Sequence, residues 1–425
     1  MASSDPKPRR EKLPAATARP VRTLVLSIGL FFMLDGALFR SGLYAGFEDP
    51  RPPAGSMMSI IHFTRATQSD PKRDVLVMGN SRIQYGFGPG YVYEAFPHFH
   101  YQMIMGAFPA SNEEHWYYAL HRIDPDHDRY AAIVIPISGY TITPHSEDYS
   151  REYETAQMLA PIIPLSHLRE FLDGFGDQNL RWRAAMLALF PSHNYASDLA
   201  EFILHPAARM DHIAERNLVG IRYLYNEGGD PATMEDLKVD PKTNTIVRFP
   251  ARFNVLYQAE MNKHFVAPPA GLARQWTERN AAFEAKWLGK IVSAYKNSTT
   301  RLIFIDMPHQ PVPIPEQQPI PDAPDIRGMI PRGSNITVLP PETFEALQKP
   351  KYFLDLNHMN VFGRKAFSVQ LGQAVNDILS ARPLHSESLR CCSRNSGPGV
   401  EDISTEGLTQ CLHVWPLPAI VVQPC

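Results

Sequence analysis

Five apolar runs of strand length recur along this chain in the order a parallel sheet needs: Asp74–Met78, Tyr101–Met105, Ala131–Ile137, Arg301–Asp306 and Asn335–Leu339. Their apolar character is continuous rather than alternating, as it is in strands covered on both faces. Helical patterns fall between and after them. Asn112–Leu120 follows the second run, and Leu272–Tyr295 precedes the fourth with Trp276, Phe283, Trp287 and Ile291 at helical spacing. Arg364–Leu379 follows the last run with Phe367, Leu371, Ala374 and Ile378 at helical spacing. Strands alternating with helices predict an α/β fold, a three-layer α/β/α sandwich around a mostly parallel sheet, with functional loops at the carboxyl ends of the strands.

Two stretches interrupt this pattern. From about 141 to 270 the sequence is helix-rich and aromatic, with Leu168–Phe175, Trp182–Phe190 and Met210–Leu224 as expected helices, and it reads as a cap inserted over the active site. Arg181, Trp182, Arg183 and Tyr195 in that cap are the residue types that line a sugar groove, although ordinary surface packing explains them equally. Pro308–Pro341 is rich in proline and reads as an ordered, extended loop between the fourth and fifth strands.

The beginning of the chain is of another kind. Residues 1–22 are rich in Pro, Ser and basic side chains and read as a disordered cytoplasmic tail. Residues 23–40 are apolar and barely long enough to cross a bilayer. Cations before that span and few after it orient the N-terminus to the cytoplasm and the rest to the outside. This predicts a single-pass bacterial inner-membrane protein with a periplasmic or otherwise extracytoplasmic domain at 41–380. Asp35 is the awkward residue in the span and reads as a carboxylate near the outer interface, with a contact to a partner membrane protein as the functional alternative. A net charge of -3 and a pI near 6.6 offer no basic surface for nucleic acid, which is excluded as a partner. All 4 cysteines lie between Cys391 and Cys425, in a segment at 381–425 that reads as a disordered tail, so the folded part depends on no disulfide or thiolate metal site.

Two short motifs carry chemistry. Gly79-Asn80-Ser81 follows the first apolar run directly, and Asp355-Leu356-Asn357-His358 precedes the last helix. A serine hydroxyl is a poor nucleophile until an imidazole takes its proton, and the imidazole works best when a carboxylate fixes its tautomer and steadies its charge. At a strand end that opens a helix, Ser81 also has free backbone N–H groups beside it, where an oxyanion would form. The bland readings are a helix-capping turn at Gly79–Ser81, and a capping aspartate with a loop histidine at Asp355–His358.

These motifs, in this order and on these elements, resemble the SGNH/GDSL superfamily of serine esterases and acyltransferases. The resemblance implies Ser81 as nucleophile, His358 as base and Asp355 as orienter, on a flavodoxin-like sandwich. It runs roughly from Asp74 to Leu379, around the insertion. Asn80 stands where the usual triplet has Asp, a departure similar to the membrane-anchored branch that includes D-alanyl transfer and alginate O-acetylation proteins. Gly106 fits the family's oxyanion glycine after the second strand. Ile135–Tyr140 has no asparagine where the family places one, so either Ser138 or a backbone amide takes that place or the oxyanion hole is weak. With Ser81 and Gly106, Ser138 completes the expected oxyanion donors; Asn80, Arg82 and His309 are the expected substrate contacts.

Other signatures are negative. Gly86-Phe-Gly-Pro-Gly90 lacks the lysine of a phosphate loop and there is no His-Glu-x-x-His, so no metal and no organic cofactor is assigned. The expectation is an extracytoplasmic serine O-acyltransferase, transferring acetyl to an envelope polysaccharide through an acyl-serine. The resemblance implies a multi-spanning membrane O-acyltransferase as the supplier of the acyl group. With water as acceptor the same site is an esterase. The rival from another class is a catalytically silent module that binds polysaccharide or scaffolds an assembly.

Overall fold

The computed structural model describes residues 15–40, 43–44, 46–50, 52–137, 149–211, 213, 230–240, 242–243, 245–255, 258–259, 262, 270–311 and 325–381. The expected tail with its cysteines, Ser138 and most of the helix expected at Met210–Leu224 lie outside these residues. The chain divides into two units, Met1–Leu379 and Ser380–Cys425, and the elements below belong almost wholly to the first.

In chain order the strands are β1 (Asp74–Gly79), β2 (Gln102–Ala107), β3 (Ala132–Ile137), β4 (Lys238–Asp240), β5 (Thr245–Arg248), β6 (Arg301–Asp306) and β7 (Ile336–Val338). Five of them form one sheet in the order β2-β1-β3-β6-β7, every pairing parallel. All five runs predicted as strands are therefore strands, each within two residues of its expected ends. β4 and β5 form a separate antiparallel hairpin inside the insertion, where only helices were expected. Its short, mostly exposed strands carry no continuous apolar run for a pattern search to find.

Alternate residues of the sheet feed two cores. Leu76, Met78, Ile104, Ile133, Ile135, Leu302 and Phe304 join one, while Val75, Val77, Met103, Met105, Val134, Ile303 and Ile305 join the other. Each such side chain contributes about 1.5–3 kcal/mol when fully buried. The first core is covered by α2 (Pro53–Thr67), α5 (Glu113–Ile123), α6 (Tyr149–Leu159) and the helix Ala270–Tyr295. The second is covered by α3 (Ser81–Gly86), α4 (Pro89–Ala95) and the helix Val361–Ser380. Helices on both faces of a parallel sheet are what continuous apolar strands require.

α2, which the sequence reading passed over, has Pro53 at its first position and buries Ala54, Met57, Ile61 and Thr64 at helical spacing. The Gln102 side chain donates to the Thr67 carbonyl and Gln68 to that of Ile123, so the last turn of α2 lies at the amino end of β2.

The insertion does not form one cap. The helices Leu168–Asp173 and Gln178–Leu189 pack with α6 into the first core, whereas Met234, Leu237 and Phe253 pack into the second. It carries two apolar surfaces, and each is paired with a different face of the sheet. Of the four groove residues, Tyr195 is buried against Phe39, Arg181 donates to the Phe175 carbonyl, and Arg183 lies over the Tyr153 ring. Trp182 alone of them is a large exposed apolar side chain.

One helix near the N-terminus, α1 (Ala15–Asp35) with its continuation to Arg40, is long and apolar enough to cross a membrane. Asp35 is buried, and its Oδ1 accepts the Ser192 N–H at 2.9 Å. The carboxylate thus caps a short helix of its own chain rather than standing open at an interface.

Candidate active site

β1 delivers Gly79, Asn80 and Ser81 to the carboxyl edge at the point where the strand order reverses. A Cβ at Gly79 would lie 2.3 Å from Ile83 Cγ1 and 3.2 Å from Pro136, so the turn closes only around glycine. Pairing of β1 with β2 runs through Gly79, but pairing with β3 stops at Val77 with Val134. Pro136, with no N–H to donate, lies just beyond that point. The sheet therefore opens between β1 and β3, the crevice in which doubly wound sheets hold ligands.

Asn80 is the N-cap of α3, its Oδ1 accepting the Arg82 N–H at 3.0 Å. Arg82 reaches across the crevice and donates to the carbonyls of Met307 and Pro308, both at 3.1 Å. These two expected substrate contacts therefore hold the turn to the segment after β6. His309 follows in that segment, with its Nδ1 3.1 Å from the Gln310 carbonyl.

The opposite wall is the loop before the helix Val361–Ser380. A bridge between Phe353 and Met359 and a bond from Leu354 N–H to the His358 carbonyl at 2.8 Å close it into a tight turn. Asp355 Oδ1 accepts the backbone N–H groups of Asn357 and His358, each at 2.8 Å. The loop is tied to α3 through the helix that follows: Arg364 Nε donates to the Phe87 carbonyl at 2.9 Å, and Ser368 Oγ accepts the Gly88 N–H at 2.9 Å. A Cβ at Gly372 would lie 2.6 Å from Val92 Cγ1, so this helix packs closely on α4.

These two walls bring Ser81, His358 and Asp355 together. His358 Nε2 is 2.8 Å from Ser81 Oγ, and its Nδ1 is 2.8 Å from Asp355 Oδ2 and 3.0 Å from Oδ1. Burial pushes the Asp355 carboxyl upward. The hydrogen bond and charge of His358, with the Asn357 and His358 amides, outweigh it and leave the group below its ordinary value. An ionised Asp355 fixes the proton of His358 on Nδ1 and frees Nε2 to accept the serine proton.

Gly106 is placed differently from its expected role. Gln102 and Phe108 donate their N–H groups to the carbonyls of Arg73, just before β1, and Gly79, its last residue. The two-residue repeat of a strand turns the Gly106 amide the same way, into the ladder. The next residues form the turn Phe108–Ser111, closed by Ser111 N–H to the Phe108 carbonyl at 3.2 Å. Pro109 stands second in that turn and Ala110 third, with φ 57°, the positions that a type II turn gives to proline and to a left-handed residue. The Trp116 indole donates to Ser111 Oγ at 2.8 Å and pins the turn. Ala110 is exposed and its N–H has no partner among the described residues, nor has that of Ser81. The sequence signal for Ala110 was the Pro-Ala pair, which does not announce a positive φ in the way Pro-Gly does.

Tyr85, absent from the expectations, lies one turn along α3 with its ring centroid 4.7 Å from that of His358. Its signal was the i, i+4 spacing from Ser81. Among the described residues one set of carboxylates, Asp49, Asp198 and Glu201, brings ligand atoms within 4.8 Å of one another. The Arg209 guanidinium already sits among them. In comparisons with protein-family models and with curated proteins, nothing matches this chain.

Proposed function

We propose that this chain is a membrane-anchored, extracytoplasmic serine acyl-ester enzyme of SGNH type that transfers an acyl group, acetyl in the simplest case, to a hydroxyl of an envelope polysaccharide. The observation that carries the reading is the unbroken contact series Ser81 Oγ, His358 Nε2, His358 Nδ1, Asp355 Oδ2, with both links at 2.8 Å. A helix cap and a loop histidine have no need of that alignment.

In this reading Ser81 Oγ attacks the acyl carbonyl while its proton passes to His358 Nε2. The oxyanion forms against the Ser81 N–H, and Ala110 supplies the second amide that Gly106 holds in the ladder. Removing one such donor typically slows turnover about 100- to 1,000-fold. Collapse of the intermediate expels the donor's leaving group with the proton from His358. The acceptor hydroxyl then gives its proton to His358 as it attacks the acyl-serine, and Ser81 is regenerated. Asp355 stays ionised throughout and steadies the imidazolium. A multi-spanning membrane O-acyltransferase is the partner that would supply the acyl group.

The test is covalent labelling of Ser81 by a fluorophosphonate probe in the full chain, with mass spectrometry of the modified peptide. Labelling that disappears in Ser81→Ala and His358→Ala supports the enzyme. An unlabelled but folded protein would leave a polysaccharide-binding module.

A further inference from the structure

The insertion holds a second surface, remote in sequence from the serine, where it meets the apolar N-terminal helix. Phe190 packs on that helix, with its ring centroid 4.8 Å from Phe32 and 6.4 Å from Phe31. The Arg40 guanidinium donates to the Ala188 carbonyl, and Asp35 accepts from Ser192. Phe32 precedes Arg40 by about two helical turns, so Phe190 lies on the order of 10 Å back along the span from its outer end. Beside it, Leu189 is 41% exposed.

The chain then enters the helix Ala196–Leu204. Its inner face meets the end of the span: Tyr195 stacks on Phe39 at 5.3 Å, and Phe202 on Phe47 at 5.5 Å. Its outer face is Ala196, Ser197, Ala200, Ile203 and Leu204, a helical stripe whose one polar member is a small hydroxyl and in which Ile203 is 67% and Leu204 71% exposed. The helix has two acids, and neither faces outward unpaired. Asp198 is buried, 2.6 Å from Arg209 Nη1 and 2.6 Å from the Tyr44 hydroxyl, while Glu201 pairs with the same guanidinium. Scattered exposed apolar side chains need no explanation, but a continuous stripe beside a span does.

We propose that the segment 187–204 is an in-plane membrane element, with the corner at Leu189 sunk beside the span and the stripe of Ala196–Leu204 seated in the lipid leaflet where the span emerges. The inference rests on reading Pro20–Arg40 as a bilayer span. Lipid is the favoured occupant because Phe190 already sits alongside the span, and the stripe continues outward from that contact. Arg209 pairs with both acids of the helix, so neither stands as a lone charge on the face turned to lipid.

The experiment uses the full chain with Cys391, Cys392, Cys411 and Cys425 replaced by serine. Single cysteines at Leu189, Leu204, Leu34 and Val247 are labelled with an environment-sensitive fluorophore in phosphatidylcholine–phosphatidylglycerol liposomes, with and without acyl-chain-brominated phosphatidylcholine. Leu34 reports the span, and Val247 reports the exposed hairpin whose Val239 and Ile246 pack on the opposite face of the sheet. Blue-shifted emission quenched by brominated lipid is expected at Leu189 and Leu204 as at Leu34, and not at Val247. Labels at Leu189 and Leu204 that match Val247 while Leu34 is quenched overturn the in-plane element alone; protection of those labels only in native membranes would then point to a protein on the stripe. An unquenched Leu34 overturns the span, and this inference with it.

Discussion

The carboxyl edge of the sheet and the corner beside the span are both built by bringing distant segments together, but by different physics. At the edge, two turns are each completed by their own neighbours: Asn80 caps Arg82, and Asp355 accepts from Asn357 and His358. Only then does one long-range contact, His358 to Ser81, join them. At the corner almost nothing is local. Tyr44 meets Asp198 and Ser192 meets Asp35, across 154 and 157 residues of sequence, and one buried guanidinium joins the Phe47–Asp49 stretch to the helix Ala196–Leu204. A preorganised pair of turns tolerates loss of its chemistry without loss of fold, whereas a corner built around one charge should not.

The largest effects should therefore appear at the edge, and in turnover alone. Ser81→Ala or His358→Ala is expected to lower hydrolysis of p-nitrophenyl acetate by about 10⁴- to 10⁶-fold, and the double variant by no more than either single one, since the residues act as a unit. Asp355→Asn is expected to cost about 10⁴-fold by favouring the wrong tautomer. Thermal unfolding of all three should stay close to that of the parent. Additive losses, or a collapsed melting profile, would argue that these contacts are structural.

Arg209→Ala inverts the pattern. Removing the guanidinium leaves Asp49, Asp198 and Glu201 facing one another with Asp198 buried, and breaking a buried pair of this kind costs about 3–5 kcal/mol. Urea unfolding should show that loss while the folded fraction keeps its turnover. An unchanged unfolding midpoint would mean that water reaches the carboxylates and that the corner is not built around this charge.

What could be read in the sequence follows the same division. Strands buried on both faces announce themselves by composition, and the Ser81 and His358 turns by residue type and order, because the determinants of each lie within a few positions. The oxyanion geometry was less legible. Gly106 matched by position, yet the ladder takes its amide, while the proposed second donor, Ala110, sits at a φ of 57° that no alanine advertises. The corner was not legible at all. Nothing in the sequence joins Asp198 and Glu201 to Arg209, and Asp35 reads as a misfit in a span until it is found capping Ser192.

Glu114 is buried in the first turn of α5, at the carboxyl edge. Burial raises its carboxyl to about 8 from an ordinary 4.5, opposed by Lys286 and Lys290 and reinforced by Glu170 of the insertion. The folded chain then keeps a proton that the unfolded chain releases in the window from about pH 4.5 to 8. The Glu114 contribution to stability should fall as pH rises through that window, with a limiting slope of about 1.4 kcal/mol per pH unit, and level off above it; below about 6.5 the neighbouring His115, whose burial lowers its imidazole to about 3, opposes it. Glu114→Gln should remove the falling slope in unfolding measured between about pH 6.5 and 8, where His115 no longer opposes it. A slope that survives the substitution would assign the pH dependence to other groups and leave the edge and the insertion uncoupled at this point.

The smallest effect separates orientation of the base from its chemistry. Tyr85 is 41% exposed and lies against His358 with the ring planes 48° apart, so it touches the imidazole without donating to it. Ring contacts of this kind are worth about 0.5–1.5 kcal/mol. Tyr85→Ala should therefore lower kcat by a few-fold to about tenfold, and Tyr85→Phe, which keeps the ring, should restore it. If the ring only positions the imidazole, KM for p-nitrophenyl acetate stays unchanged, because the ester itself then makes no contact with the ring. A rise in KM with kcat preserved would instead make Tyr85 part of the acyl-group pocket. Turnover that follows the hydroxyl rather than the ring would place a proton-handling group at the edge beyond the three that align there.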